Sequence, residues 1–164
     1  MIHTSFTFAD LIATFRDSLL ADNDIQQFCT DNFDKQLTTV IGHIRANELG
    51  IEDAPFLMIS PSSVETGMRV AQVGFHFDID VAIVEKLFED YQNTSANEMK
   101  GFYLLDQMVN LVINNLRKHA EGKNAVADSI GITYDISNFY PLHVATINVS
   151  VTVETVMGFS IGIN

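Results

Sequence analysis

Thiol chemistry is almost absent from this chain. Cys29 is its one cysteine, so no intrachain disulfide and no multi-cysteine zinc site can form, and a reducing compartment is expected. Basic residues are scarce too: nine Lys and Arg face 21 Asp and Glu, a formal charge of -12. Tight non-specific binding to phosphate is thereby disfavoured, because it comes mainly from cations displacing counterions. An acidic surface can still sit beside nucleic acid without gripping it. No apolar run approaches the roughly 20 residues needed to cross a bilayer, and the first residues lack a cationic lead before an apolar stretch. A soluble, intracellular chain without a membrane partner is expected. Missing as well are a phosphate-cradling glycine loop, a dinucleotide fingerprint, a nucleophile elbow around Ser60 or Ser62, and any internal repeat. His3, His43, His119 and His143 show no metal-ligand spacing.

What is present is alternation. Val73, Phe75, Phe77, Ile79, Val81 and Ile83 are apolar, and Gly74, His76, Asp78, Asp80 and Ala82 stand between them. Successive strand side chains point to opposite faces, so this is one long strand with an apolar and a wet face. Ala145, Ile147, Val149, Val151 and Val153 repeat the design around Thr146, Asn148, Ser150 and Thr152, and residues 130–136 give a shorter version. Such strands belong to an antiparallel sheet covered on one side.

Helical spacing appears twice. Thr7 and Asp10 resemble a capping box ahead of Phe8, Leu11, Ile12, Phe15 and Leu19, which predicts a helix over 8–20. Ser95 and Glu98 form a second box before Leu105, Met108, Val109, Val112 and Leu116, predicting a helix over 96–119 that Gly122 closes. Asp22, Asn23 and Asp24 read as a turn, and 22–36 as a long loop with at most a helical turn near Ile25. Residues 37–44 favour a strand on propensity. Pro55 and Pro61 bound a short strand, followed by a loop over 62–67. With 164 residues and 47% hydrophobic content, the chain fits one domain over 1–164. The expected class is α+β, a mainly antiparallel twisted sheet of about four or five strands with two principal helices on one face. The apolar stretch 157–164, where Phe159, Ile161 and Ile163 alternate with small residues, is expected to pair with a neighbouring subunit's sheet edge.

His76, Asp78 and Asp80 share a face, and imidazole with carboxylates can ligate divalent ions. Same-face strand neighbours stand nearly 7 Å apart, from a rise of about 3.4 Å per residue, too far for all three to share one ion unaided. A solvated or subunit-facing polar stripe is the simpler reading, joined by Thr146, Asn148 and Ser150. Cys29 reads as inert packing. Glu85, Glu89 and Asp90 form an acidic loop open to a partner. No catalytic group, cofactor or metal site is assigned, and the chain is read as a non-enzyme. The rival reading is a small metal- or ligand-binding enzyme using the polar face around His76, Asp78 and Asp80.

The order and spacing resemble those of the tail terminator (tail completion, neck) proteins of long-tailed, lambda-like phages. The features that carry the resemblance are the helix over 8–20, the strand 55–60 ahead of the long strand 69–84, the helix 98–119, and the closing strands 130–136 and 144–156. Residues 22–36 and 157–164 have no counterpart in that pattern. The resemblance implies a virion structural protein of the tail or neck, soluble in the host cytoplasm before assembly. It would form a hexameric ring that caps the tail tube protein and meets the head-side connector protein. DNA would pass through the ring without being bound specifically. On that reading His76, Asp78 and Asp80 face the lumen or a subunit interface, and Glu85, Glu89 and Asp90 approach a partner.

Overall fold

Thr7 starts the first helix, α1 (Phe8–Leu20), in the computed structural model, which describes residues 7–42, 49–66, 72–86, 88–89, 98–121, 125–136 and 138–154. The expected capping box forms: Asp10 N–H donates to the Thr7 hydroxyl at 3.2 Å and Thr7 N–H donates to the Asp10 carboxylate at 2.8 Å. The Thr7 backbone donor, then its hydroxyl, holds the Asp10 pKa below its ordinary value.

The span expected to be a long loop is mostly a second helix, α2 (Asn23–Phe33). Asp22 is a hinge between two helices. Its carboxylate accepts from Asp24 N–H at 3.0 Å and Ile25 N–H at 3.2 Å, which satisfies donors a new helix leaves open. Only Ile25 and Cys29 of α2 are fully buried, one turn apart, so its apolar stripe is too narrow to read as a period. Asp34 ends the helix at φ 53, a left-handed position that Asp tolerates better than most residues.

Strand β1 (Thr38–Ile41) lies parallel to β2 (Phe56–Thr66). The short strand expected at 55–60 therefore continues through Pro61, and 62–66 is strand rather than loop. Pro61 is tolerated because β1 reaches only as far as Ile59, so no described strand needs a proline N–H on that side. A bulge between Pro61 and Ser63 resets the register. Then come β3 (Gln72–Val84), the short β4 (Phe88–Glu89) and β5 (Glu98–Met99), α3 (Lys100–Glu121), β6 (Ala125–Asp135) and β7 (Leu142–Glu154). Glu98 pairs with Glu89 in the β4–β5 ladder, so it is not the third residue of a helical capping box. Ser95, Gly122, Met68, Arg69, the loop 91–97 and the stretch 157–164 lie outside the described residues.

The main sheet runs β1-β2-β3-β7-β6, parallel only at β1–β2. The class is α+β, as expected, with three α-helices among the described residues where two principal ones are predicted. Register builds the core directly. Ile59, Ile79, Ile147 and Ile132 stand in one row across the sheet, and Leu57, Val81, Ala145 and Tyr134 in the next on the same face. Helix α1 lays Phe8 on Phe75 and Phe15 on Phe77, with ring centres 5.2 and 5.5 Å apart. Leu105, Met108, Val109, Val112 and Leu116 of α3 bury the rest of that face.

Among the described residues, two polar side chains are fully inside. Asn115 accepts from the Ser18 hydroxyl at 2.8 Å and donates to Ser18 O at 3.2 Å and to the Asp22 carboxylate at 2.7 Å. One side chain thus joins the end of α1, the cap of α2 and the middle of α3. His143, wholly buried, lies with Nε2 2.9 Å from Glu85 O and Nδ1 3.2 Å from Ile136 O. Helix α3 packs on that ring through Gly101, where a Cβ would fall on Nε2 and Cδ2 and within 2.8 Å of Cε1. Glycine is required there by close approach.

Candidate functional site

Because side chains alternate on β3 and β7, burying the apolar set under the helices turns His76, Asp78 and Asp80 to the opposite face. Register then decides their partners. Asp80 meets Thr146, Asp78 meets Asn148, and His76 meets Ser150. Each pair is bonded: Thr146 Oγ1 donates to Asp80 at 2.6 Å, Asn148 Nδ2 donates to Asp78 at 2.7 Å, and His76 Nδ1 lies 2.7 Å from Ser150 Oγ. The six residues picked out by alternation are brought together as three rungs of one ladder, about 14 Å long at a rise of about 3.4 Å per residue.

The face is not wet throughout. Next along come Phe56, Ala82 and Val144 in one row. Phe56 and Ala82 are buried, with Leu49, Val84 and Leu142 packed against them. Ala82, expected among the exposed positions, is therefore core, because Leu49 reaches this end of the face from the connection between β1 and β2. At the far end of the ladder Glu65 Oε1 lies 3.5 Å from His76 Nε2. That is ion-pair range, yet Nε2 has no hydrogen-bond partner, and neither has the buried Ser60 Oγ in the row of Asp78.

Ser150, His76 and Glu65 follow one another in the order of a nucleophile, a base and an orienting acid. The His76–Ser150 contact is, however, one of three equivalent rungs, and the other two are Asn–Asp and Thr–Asp bonds with no such order. Cross-strand register accounts for all three with one cause. His76, Asp78 and Asp80 each hold a different residue of β7 rather than converging, and among the described residues no three His, Cys, Asp or Glu side chains gather as a metal site would need.

Of the three acidic residues Glu85, Glu89 and Asp90, Glu85 is largely covered. The Glu85 side chain is 15% exposed with Lys100 Nζ 3.9 Å away, and its main chain is tied to Pro141 O and to His143. Glu89 lies in β4, and Asp90 is outside the described residues, as are His3 and His43. His119 sits in the last turn of α3, where a cation suits the helix dipole. An open cleft of about 600 Å³ lies between residues 30–35 at the end of α2 and Ile51, Ala54 and Val84. No ladder residue lines it. Lys35 there donates to Glu52 O at 2.7 Å, so its charge is already engaged by backbone. Cys29 is fully buried, and burial pushes its thiol pKa up to about 11, which suits packing rather than attack.

No helix among the described residues is long and apolar enough to cross a membrane. The chain matches no protein family model, and no curated protein is significantly similar to it.

Proposed function

We propose that this chain is a structural subunit of a phage virion, a tail terminator whose ring caps the tail tube and offers its other side to the head connector. The observation that carries the reading is the polar ladder of His76–Ser150, Asp78–Asn148 and Asp80–Thr146 on the side of the sheet opposite α1 and α3. Cross-strand pairs of this kind contribute roughly 0.2–1 kcal/mol each. Losing one core aromatic such as Phe77 costs about 3–5 kcal/mol. The ladder is therefore a poor investment for stability alone and a good surface for something that slides past. Turned to the lumen, Asp78 and Asp80 repeat around the ring and repel phosphate, in a chain that already carries a charge of -12. DNA then passes without being held.

The α+β architecture supports the same reading, since among the described residues α1 and α3 pack on one side of the sheet and leave the ladder on the other. Both ends of the main sheet are strands with one unpaired edge among the described residues, and head-to-tail closure satisfies such edges. The test is light scattering with negative-stain microscopy. Six chains of 18.2 kDa give a particle of about 110 kDa with a central hole. Adding the chain to polymerising tail-tube protein should stop tube growth. A clean monomer that also leaves tube length unchanged would sink the proposal.

A further inference from the structure

We infer that His143 is a pH-sensitive latch at one end of the main sheet. With both ring nitrogens protonated it clips Glu85 O to Ile136 O beneath α3, and on losing one proton it lets go of Ile136 and loosens the turn into β7. The inference does not rest on the ring reading. The imidazole is fully buried, with Nε2 2.9 Å from Glu85 O and Nδ1 3.2 Å from Ile136 O. A carbonyl oxygen can only accept, so each contact needs an N–H on the histidine side. Neutral imidazole has one such group and the imidazolium has two. Only the charged ring serves both oxygens. Turning the ring over exchanges its nitrogens without adding a donor, and α3 closes the space above it at Gly101, where a Cβ would already fall on the ring.

The two oxygens belong to different strands. Glu85 follows β3 directly, Ile136 follows β6 directly, and His143 is the second residue of β7, so one side chain ties three strand ends. The turn between β6 and β7 hangs on the same point. Glu85 N–H donates to Pro141 O at 3.1 Å and Leu142 N–H donates to Phe139 O at 2.9 Å. The Tyr140 hydroxyl donates to Lys86 O at 2.8 Å, and its ring centre stands 6.0 Å from that of His143. Phe139 and Tyr140 are 58% and 47% exposed, so this turn presents two aromatic rings to solvent. When one proton leaves, the shorter contact, Nε2 to Glu85 O, keeps the remaining N–H. The longer one is lost, and the turn stays tied to the end of β3 but not to the end of β6.

Among the described residues, the titratable and charged groups on the elements packed there are Glu85 and Lys86 after β3, Lys100 on α3, Asp135 at the end of β6 and Tyr140 in the turn. Most are answered locally. Lys100 Nζ lies 3.9 Å from the Glu85 carboxylate, and the Asp135 carboxylate accepts from Asn138 N–H at 3.2 Å and Asn138 Nδ2 at 2.9 Å. What remains is a contest at the ring itself. Two carbonyls favour its charged form, while burial and the positive start of α3 oppose it. Opposed forces of this kind let a proton come and go.

The test is ring-nitrogen NMR of the parent protein with isotope-labelled histidine from about pH 5 to 8, the range in which histidine changes charge. Exchange of the Leu142 amide is followed alongside. At the acid end the buried ring should carry a slowly exchanging proton on each nitrogen, and at the alkaline end on Nε2 alone. A latch that needs its second proton holds below the titration and loosens as pH rises through it. Protection of the Leu142 amide, corrected for the intrinsic pH dependence of exchange, should therefore fall about tenfold, the scale of one lost buried hydrogen bond. His143→Gln, whose side chain cannot change charge, should show equal protection at both ends, whereas His76→Gln and His119→Gln should respond like the parent. A ring that keeps one protonation state throughout, or a response that survives in His143→Gln, overturns the latch. Should His143→Gln fail to fold, the parent's ring spectrum decides alone.

Discussion

Replacing Gly101 with alanine tests whether the contact between α3 and His143 is as tight as the geometry requires. On helix propensity alone the change should help, by at most about 1 kcal/mol. The added Cβ, however, lands on the His143 ring. That ring cannot step aside, being fully buried with a carbonyl oxygen at each nitrogen, 2.9 and 3.2 Å away. The methyl overpacks the contact and pushes the ring off a carbonyl. Overpacking typically costs about 1–3 kcal/mol, and a buried polar group left without its partner about 1–3 kcal/mol more. Less the propensity gain, a loss near 3 kcal/mol is expected. With a urea dependence of about 2 kcal/mol per molar, the unfolding midpoint should fall by roughly 1.5 M. The sharper test is a cycle with His143→Ala. In that background the ring is gone, and Gly101→Ala should be neutral or stabilising, giving a coupling of about 2 kcal/mol or more. A Gly101→Ala protein as stable as the parent, or equal effects in the two backgrounds, refutes the close-packing account.

Asn115→Ala should lower stability by about 2 kcal/mol, since it removes the acceptor of the Ser18 hydroxyl and the donors to Ser18 O and to the part-buried Asp22 carboxylate; a loss under 1 kcal/mol by urea unfolding would show that the junction relaxes easily. Cys29 should resist Ellman's reagent at pH 8 in the folded protein and react fully in denaturant, because its thiol is buried and its pKa stands near 11; fast labelling of the native chain would contradict its placement. Burial pushes the Asp22 pKa up, but donors from Asn115, Ile25 and Asp24 and the charge of Lys118 outweigh it, and the net shift is down from 3.8. A depressed carboxylate stabilises the fold above its unfolded value and loses that contribution as pH falls through the lower folded one. The stability difference between the parent and Asp22→Asn should therefore be constant above about pH 5 and shrink below pH 3.8; a difference that grows on acidification would reverse the assignment.

The elements that sequence alone made legible are those with a clean period. Phe8–Leu20, the long strand through His76 and the strand through Asn148 each have one buried stripe or face, and each appears as expected. α2 escaped because two buried residues one turn apart do not make a pattern. β2 extends past Pro61 because the tolerance of that proline depends on the length of the neighbour, β1, which no local pattern carries. The ladder was half legible. Alternation gives the face, but only the register tells that Ser150 rather than Asn148 meets His76. Asn115 and His143 could have been found. Asn115 stands three residues after Val112 and seven after Met108, on the apolar stripe, and His143 shares its strand face with Ala145 and Ile147. A polar residue at an apolar position is the signal that marks both.

Those two residues also connect the interior to the surface beside β6, where Ile132 and Phe102 are 40% and 37% exposed. Asn115 fixes α3 against α1 and α2, and His143 fixes the start of α3 against the sheet. Phe102 follows Gly101 directly, so whatever moves that start moves the aromatic half of the surface beside β6. Stability and assembly should then part company in Gly101→Ala. At a temperature where the variant is still fully folded, its association should already be weaker, because a shift of α3 opens the Ile132–Phe102 surface before it unfolds anything. The double variant with His143→Ala, where the added methyl finds room, should recover association. Should Gly101→Ala assemble like the parent while folded, assembly does not depend on how α3 meets β6, and the proposed ring must close through another surface.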